Sequence, residues 1–235
     1  MPFSLPSIHP DDLTTLASPC LVIFRDRLLA NLDAMLKIAG NPARLRPHCK
    51  THKMDQIIRL WVERGVTKHK AATIAECEML AIAGATDVLL AYNPVGPNVA
   101  RIVALATKFP ECRFSCTTDH ELPLRQLSVE AAQAGVEIGV LLDVNVGMAR
   151  TGITPSTPHA VELYAMTAAL PGLRPAGFHV YDGHRKEVPI ADRHAAVAAT
   201  WPQVTELRSK CEAAGIPVPT LACGGTPTFP CYAAM

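Results

Sequence analysis

Apolar residues recur along this chain with two alternating periods. Short runs cover Pro19–Phe24, Arg44–Cys49, His69–Thr73, Asp87–Tyr92, Arg113–Thr117, Glu137–Val144, Arg174–Tyr181 and Thr220–Cys223, and each reads as a β-strand. Longer stretches between them space apolar residues three and four apart, as one face of a helix requires. Asp26–Ala39 lines up Leu28, Leu29, Leu32, Met35, Leu36 and Ala39, and Asp55–Arg64 lines up Ile57, Ile58, Leu60, Trp61 and Val62. Ala75–Ala83, Asp119–Ala134 and Ala191–Ala214 continue the pattern. Gly65, Gly84, Gly135 and Gly215 follow four of these helices, where a left-handed cap is expected. Strand and helix in alternation predict βαβ units and a parallel sheet. No glycine-rich nucleotide loop follows the first strand, so a (β/α) barrel is the better reading than a doubly wound sheet.

Composition fits such a fold and removes other classes. The 235 residues are 49% hydrophobic and 18% charged, with a net charge of +1. A balanced surface of this kind argues against a nucleic-acid or membrane partner. The start, Met-Pro-Phe-Ser-Leu-Pro, has no export signal, and a cytoplasmic location is expected. Eight scattered cysteines without a CxxC pair read as reduced and mostly buried. Met35, Met54, Met79 and Met166 read as core, Trp61 and Trp201 as packing anchors, and Glu76 and Glu78 as acidic residues at a helix start.

Candidate chemistry gathers at the predicted carboxyl ends of strands, where barrel enzymes carry their sites. In Arg46-Pro-His-Cys-Lys-Thr-His-Lys53, a strand would turn Arg46, His48 and Lys50 to one face. Three such groups on one buried face imply either a solvated edge or a site for an anion. A lysine partly desolvated there has a lowered pKa and suits Schiff-base chemistry. Cys49 points the other way and packs. Other strand ends deliver Asp143, Asn145 and Arg150; His179, Tyr181 and His184; and Gly224, Gly225 and Thr226. The Gly-Gly-Thr turn can offer backbone N–H groups to a phosphate.

Four segments carry a resemblance: residues 46–53, Leu142-Asp-Val-Asn-Val-Gly-Met-Ala-Arg-Thr-Gly152, Phe178-His-Val-Tyr-Asp-Gly-His184 and Cys223-Gly-Gly-Thr226. In these the chain resembles the fold-type III pyridoxal-phosphate enzymes, the alanine racemase-like (β/α)8 barrels. Within them it is most similar to the D-threonine aldolase and D-serine dehydratase group. The resemblance implies that Lys50 holds the cofactor, Arg150 contacts the ring's phenolic oxygen, and Tyr181 lies at the ring nitrogen. It implies that Gly224, Gly225 and Thr226 bind the phosphate. His179 packs by the ring or is an ordinary interior histidine. His48 and His52 orient the lysine loop, and Asp143 pairs with Arg150 or Arg46.

The implied substrate is a small D-amino acid with a β-hydroxyl group. An aldolase would need a base for the hydroxyl proton, with His184 the candidate, and would yield glycine and an aldehyde. A dehydratase would use Lys50 on the α-proton, with metal assistance at the hydroxide. Asp182-Gly-His-Arg-Lys-Glu187 departs from the histidine-bearing loop expected of an aldolase. A cofactor carrier without turnover and an amino-acid racemase remain open. The chain reads as C-terminally truncated: relatives continue into a closing strand and a β-rich domain. That domain would hold the divalent metal (Mn or Zn), leaving no metal ligand in this chain, and would complete a homodimer. Residues 1–25 would then lend a strand to the β-domain, and residues 26–235 would form the barrel.

Overall fold

The structure, a computed structural model, describes residues 14–235. Six parallel strands run side by side in chain order: β1 Lys68–Ala71, β2 Asp87–Leu90, β3 Arg113–Thr118, β4 Ile138–Val144, β5 Leu173–Val180 and β6 Leu221–Cys223. Helices α1 Arg25–Ala39 and α2 Asp55–Val62 precede them. The connecting helices are α3 Ile74–Ile82, α4 Pro97–Lys108, α5 Glu121–Ala134, α6 Pro158–Ala169 and α7 Ile190–Ala213, and α8 Phe229–Ala233 follows β6. The result is a curved parallel half-barrel, the expected (β/α) barrel without its full ring of strands. No helix among the described residues is long and apolar enough to cross a membrane.

Helix ends agree closely with the sequence reading because their caps are local. Gly65, Gly84, Gly135 and Gly215 all take positive φ. Helices α4 and α6 are additions to that reading. Each begins with a proline, Pro97 or Pro158, whose missing N–H costs nothing in a first turn. Their apolar positions bury Val99, Ile102, Val103 and Leu105, and Ala160, Leu163 and Tyr164.

Two expected strands are different in the structure. Residues 20–24 are irregular coil, with Leu21 and Val22 exposed. Residues 44–49 make one parallel bridge, His48 to Lys70, between 3-10 turns at Pro42–Arg44 and Cys49–Thr51. Pro47 lacks an N–H and can only accept, which it does from Lys70 N at 2.9 Å.

The main core lies between sheet and helices, and the barrel interior holds a smaller layer of Leu89, Leu141 and Ala176 with Ala222 against it. Leu32, Ile57 and Trp61 form a third cluster that joins α1 to α2. Met35 and Met54 pack on that cluster, while Met79, Met166 and Trp201 pack on the main core, in line with their sequence reading. The eight cysteines are free, six of them buried. Strand β5 carries a register shift beside Ala176 and Gly177. Gly177 sits at φ 114°, and a Cβ there would overlap the Thr220 carbonyl.

Candidate functional site

The carboxyl-end mouth of the half-barrel is built around the Tyr181 ring. Three cations from three parts of the chain lie over it. Lys50 Nζ is 5.9 Å from the ring centroid, Lys70 Nζ 5.5 Å and the Arg150 guanidinium carbon 5.1 Å. The His179 ring lies nearly parallel to it, with centroids 6.3 Å apart and planes 11° apart.

Lys50 reaches the mouth because the backbone leaves the extended form at Cys49. His48 Nδ1 accepts from Lys50 N at 3.2 Å, and His52 Nδ1 accepts from Met54 N at 3.1 Å. Burial, then the nearby Lys70 and Lys50, push the His48 pKa down to about 3, so it is a neutral acceptor. His52 is lowered by burial as well. The two histidines therefore hold the lysine loop by their ring nitrogens. The shared face expected for Arg46, His48 and Lys50 does not form, since period-two alternation needs an extended backbone through Lys50. Arg46 instead donates to Asp87 Oδ1 at 2.7 Å, at the amino end of β2, and Lys50 is exposed on its turn.

Glu76, 4% exposed, fastens that turn from α3. It accepts from Ala72 N at 2.7 Å, from the Lys53 ammonium, and from the Cys49 thiol at 3.6 Å. Burial works to raise its carboxyl pKa, but the Lys53 and Ala72 bonds outweigh burial and bring it below the ordinary value. Burial and Glu76 push the Cys49 thiol up to about 12. His48, Cys49 and Glu76 place ligand atoms within 4.8 Å of one another. The protonated thiol and the occupied carboxylate make this a hydrogen-bonded knot.

Arg150 owes its place to a tight loop. Asn145 Oδ1 accepts from Gly147 N and Ala149 N, both at 3.0 Å, while Asp119 Oδ2 accepts from Gly152 N at 2.9 Å. Ala149 takes φ 53°, and a Cβ on Gly152 would press on Asn145 N at 2.9 Å. His184 lies against this loop, its Nε2 3.3 Å from where a Gly147 Cβ would stand. The other ring nitrogen, Nδ1, is buried without a partner.

Asp143 and His179 are register neighbours on β4 and β5, with Nδ1 2.7 Å from Oδ1. Asp143 thus pairs with His179, where the sequence reading expected Arg150 or Arg46. The strand register leaves those two carbon backbones side by side, and Arg46 is taken by Asp87. Burial acts to raise the Asp143 carboxyl, yet the His179 bond more than offsets it and the pKa ends low. His179 is itself lowered, by burial first and then by Lys70.

Gly224 and Gly225 turn beneath Tyr181. Gly224 N donates to Val180 O at 2.8 Å, and Gly225 N donates to Thr228 Oγ1 at 3.0 Å. Thr228 Oγ1 donates in turn to Asp182 Oδ1 at 2.6 Å, and the Tyr232 hydroxyl to Oδ2 at 3.0 Å. The turn is therefore latched from inside by Asp182.

Lys50, Arg150, His179, Tyr181 and His184 gather at this end of the half-barrel, while Arg46 turns away to the amino end of β2. Sequence reasoning missed Lys70, the buried role of Glu76, and the Asp182–Thr228 latch. Lys70 had a legible signal: in the strand Lys68-His-Lys70, period two sends both lysines to the face opposite buried His69.

Comparison with known proteins agrees with this architecture. The family profile described as "Alanine racemase, N-terminal domain" matches residues 23–235. A D-threonine aldolase of Arthrobacter sp. is 29% identical over 229 residues, which are 94% of this chain and 58% of that protein. A 3-hydroxy-D-aspartate aldolase of Paracoccus denitrificans is 28% identical over 97% of this chain and 59% of its own length. The crystal structure of D-threonine aldolase from Filomicrobium marinum superposes with a TM-score of 0.84 at 29% identity, covering 94% of this chain and 60% of that one. The chain spans little more than half the length of these relatives.

Proposed function

The chain belongs to the alanine racemase N-terminal domain family, and from that premise we propose that it is the barrel portion of a pyridoxal-phosphate-dependent lyase. Its substrate would be a D-β-hydroxy amino acid, cleaved between Cα and Cβ to glycine and an aldehyde. The observation that carries this reading is the convergence of Lys50, Lys70 and Arg150 on one aromatic ring beside the Asp143–His179 pair. A primary amine on an exposed turn, with excess positive charge around it, suits an anionic aromatic aldehyde. The names of the relatives support the substrate class.

When bound, the cofactor withdraws electrons from the substrate's Cα, which lets a bond to that carbon break. The chain's own residues do the rest. Lys50 supplies the amine that holds the cofactor, and His48, His52 and the Glu76–Lys53 pair fix the turn that presents it. Arg150, Tyr181 and His179 would hold the cofactor ring, and Gly224, Gly225 and Thr226 would take its phosphate. His184 is the base that takes the β-hydroxyl proton, its unpartnered Nδ1 in keeping with such a role. In the same reading residues 26–235 are the barrel and residues 1–25 an appendage to a β-domain. That domain brings the divalent metal and the dimer contact, and the protein works in the cytoplasm.

The test is borohydride reduction of purified protein mixed with pyridoxal phosphate, with peptide mapping, followed by product analysis. D-Threonine would be supplied with Mn2+ or Zn2+, to this chain and to a form extended through the missing domain. A label on Lys50 and release of glycine with acetaldehyde are expected. A label elsewhere, or keto acid and ammonia in place of glycine, would overturn the aldolase assignment, the latter in favour of a dehydratase.

A further inference from the structure

Lys70 enters the scheme above only as one of three charges over Tyr181, yet its amine also meets a second group across the half-barrel. It projects from β1 toward β5, on the other side of the half-barrel, and its Nζ stands 3.1 Å from His179 Nε2. Part of its surface stays open, but the ammonium sits among protein atoms, and burial with Lys50 and Arg46 brings its pKa down to about 8. Asp143 and Cys223 act the other way.

While Lys70 carries its charge, the donor count at His179 has one solution. A carboxylate only accepts, so Nδ1 carries the proton that goes to Asp143. A lysine ammonium only donates, so Nε2 must be the lone pair that receives it. An imidazolium would leave two donors facing one another across 3.1 Å. The line Asp143–His179–Lys70 is therefore consistent only with a neutral, Nδ1-protonated ring. The groups that face His179 are Asp143 from β4, Lys70 from β1, Arg150 from the loop after β4 and His48 from the segment beside β1.

We propose that Lys70 is a positioning residue of the active site, acting through His179. With Asp143 it holds the imidazole neutral, in one tautomer, and nearly parallel to the Tyr181 ring, so that an uncharged flat surface is offered beside a cofactor held on Lys50. The catalytic meaning of this rests on the lyase reading; the hydrogen-bonded line itself does not.

Histidine 15N spectra of the cofactor-free protein test it, in the wild type and in Lys70→Met and Lys70→Arg. Wild-type His179 is expected to show one neutral, Nδ1-protonated form from pH 6 to 8. Lys70→Met removes a cation and a donor facing Nε2, so the His179 titration should move up, while Asp143 keeps the Nδ1 proton in place. Lys70→Arg keeps both and should restore the wild-type spectrum. Should Lys70→Met misfold, Lys70→Gln, which retains an N–H donor without the charge, is expected to keep the tautomer but not the titration. A His179 signal unchanged in Lys70→Met, or unrescued by arginine, would overturn the proposal. Borohydride labelling of Lys50 in the same variants reports on the lyase reading alone, so the two can fail separately.

Discussion

Asp143 and His179 are paired across β4 and β5, and their 2.7 Å contact is a buried hydrogen bond between a carboxylate and an imidazole. Replacing Asp143 with Asn keeps the shape but removes the charge. The expected loss is about 1.5 to 3 kcal/mol in urea unfolding at pH 7, the range for hydrogen bonds to charged groups.

The same pair sets an acid limit. The folded Asp143 carboxyl titrates below its unfolded value, so its contribution is fully present above the unfolded pKa of roughly 3.9. It is lost as pH falls from there through the folded value. Glu76 behaves alike, from an unfolded value of roughly 4.3. Unfolding free energy measured from pH 6 to pH 2 should fall more steeply in the wild type than in Asp143→Asn.

Lys70 moves stability in the same direction with pH, but in an alkaline window and as a cost rather than a contribution. Its folded pKa, about 8, lies below the unfolded value of roughly 10.4, so the charged form is disfavoured in the fold. The cost is complete below pH 8 and is relieved as pH rises toward the unfolded pKa. Lys70→Met should therefore match or exceed wild-type stability at pH 7. A gain on the order of 1 to 3 kcal/mol is expected, after allowance for partial solvent screening and for the lost hydrogen bond, and it should shrink by pH 10.

Gly177→Ala strikes the bend in β5. It would combine positive φ with a Cβ against the Thr220 carbonyl, at the bulge that sets the direction of His179 and Tyr181. A loss of roughly 3 kcal/mol or more is expected, and a circular-dichroism melt should show it.

Arg44 ties α8 to the segment before β1. Its guanidinium donates to Ala233 O at 2.9 Å and Tyr232 O at 3.1 Å. Because this contact is exposed, Arg44→Ala should cost only about 1 kcal/mol, yet amide exchange in residues 229–235 should quicken more than in the strands.

Much of the fold was legible because its signals are local. Gly135 announces the end of α5 through its own backbone freedom, and the Leu28–Leu32–Met35 spacing announces α1 without help from any neighbour. Helices α4 and α6 were within reach, since Pro97 and Pro158 mark their first turns. The segment at 44–49 was misread because pairing is not local: a strand-like pattern becomes a strand only where a neighbour supplies a ladder, and here one bridge to Lys70 is all that forms.

By itself, then, the sequence determined the alternation of strands and helices from β1 to β6, the parallel sheet, and most of the polar residues delivered to one end of it. These follow from residue spacing, capping and strand–helix alternation. Only the tertiary structure decided which of those residues meet. Lys70 and His179 are 109 positions apart and touch because the sheet curves until β1 faces β5. Arg46 and Lys50, four positions apart, are sent to different ends because one turn at Cys49 breaks the alternation. Separation along a chain limits contact only while the backbone is straight, and in this site it is curvature and turns that choose the partners.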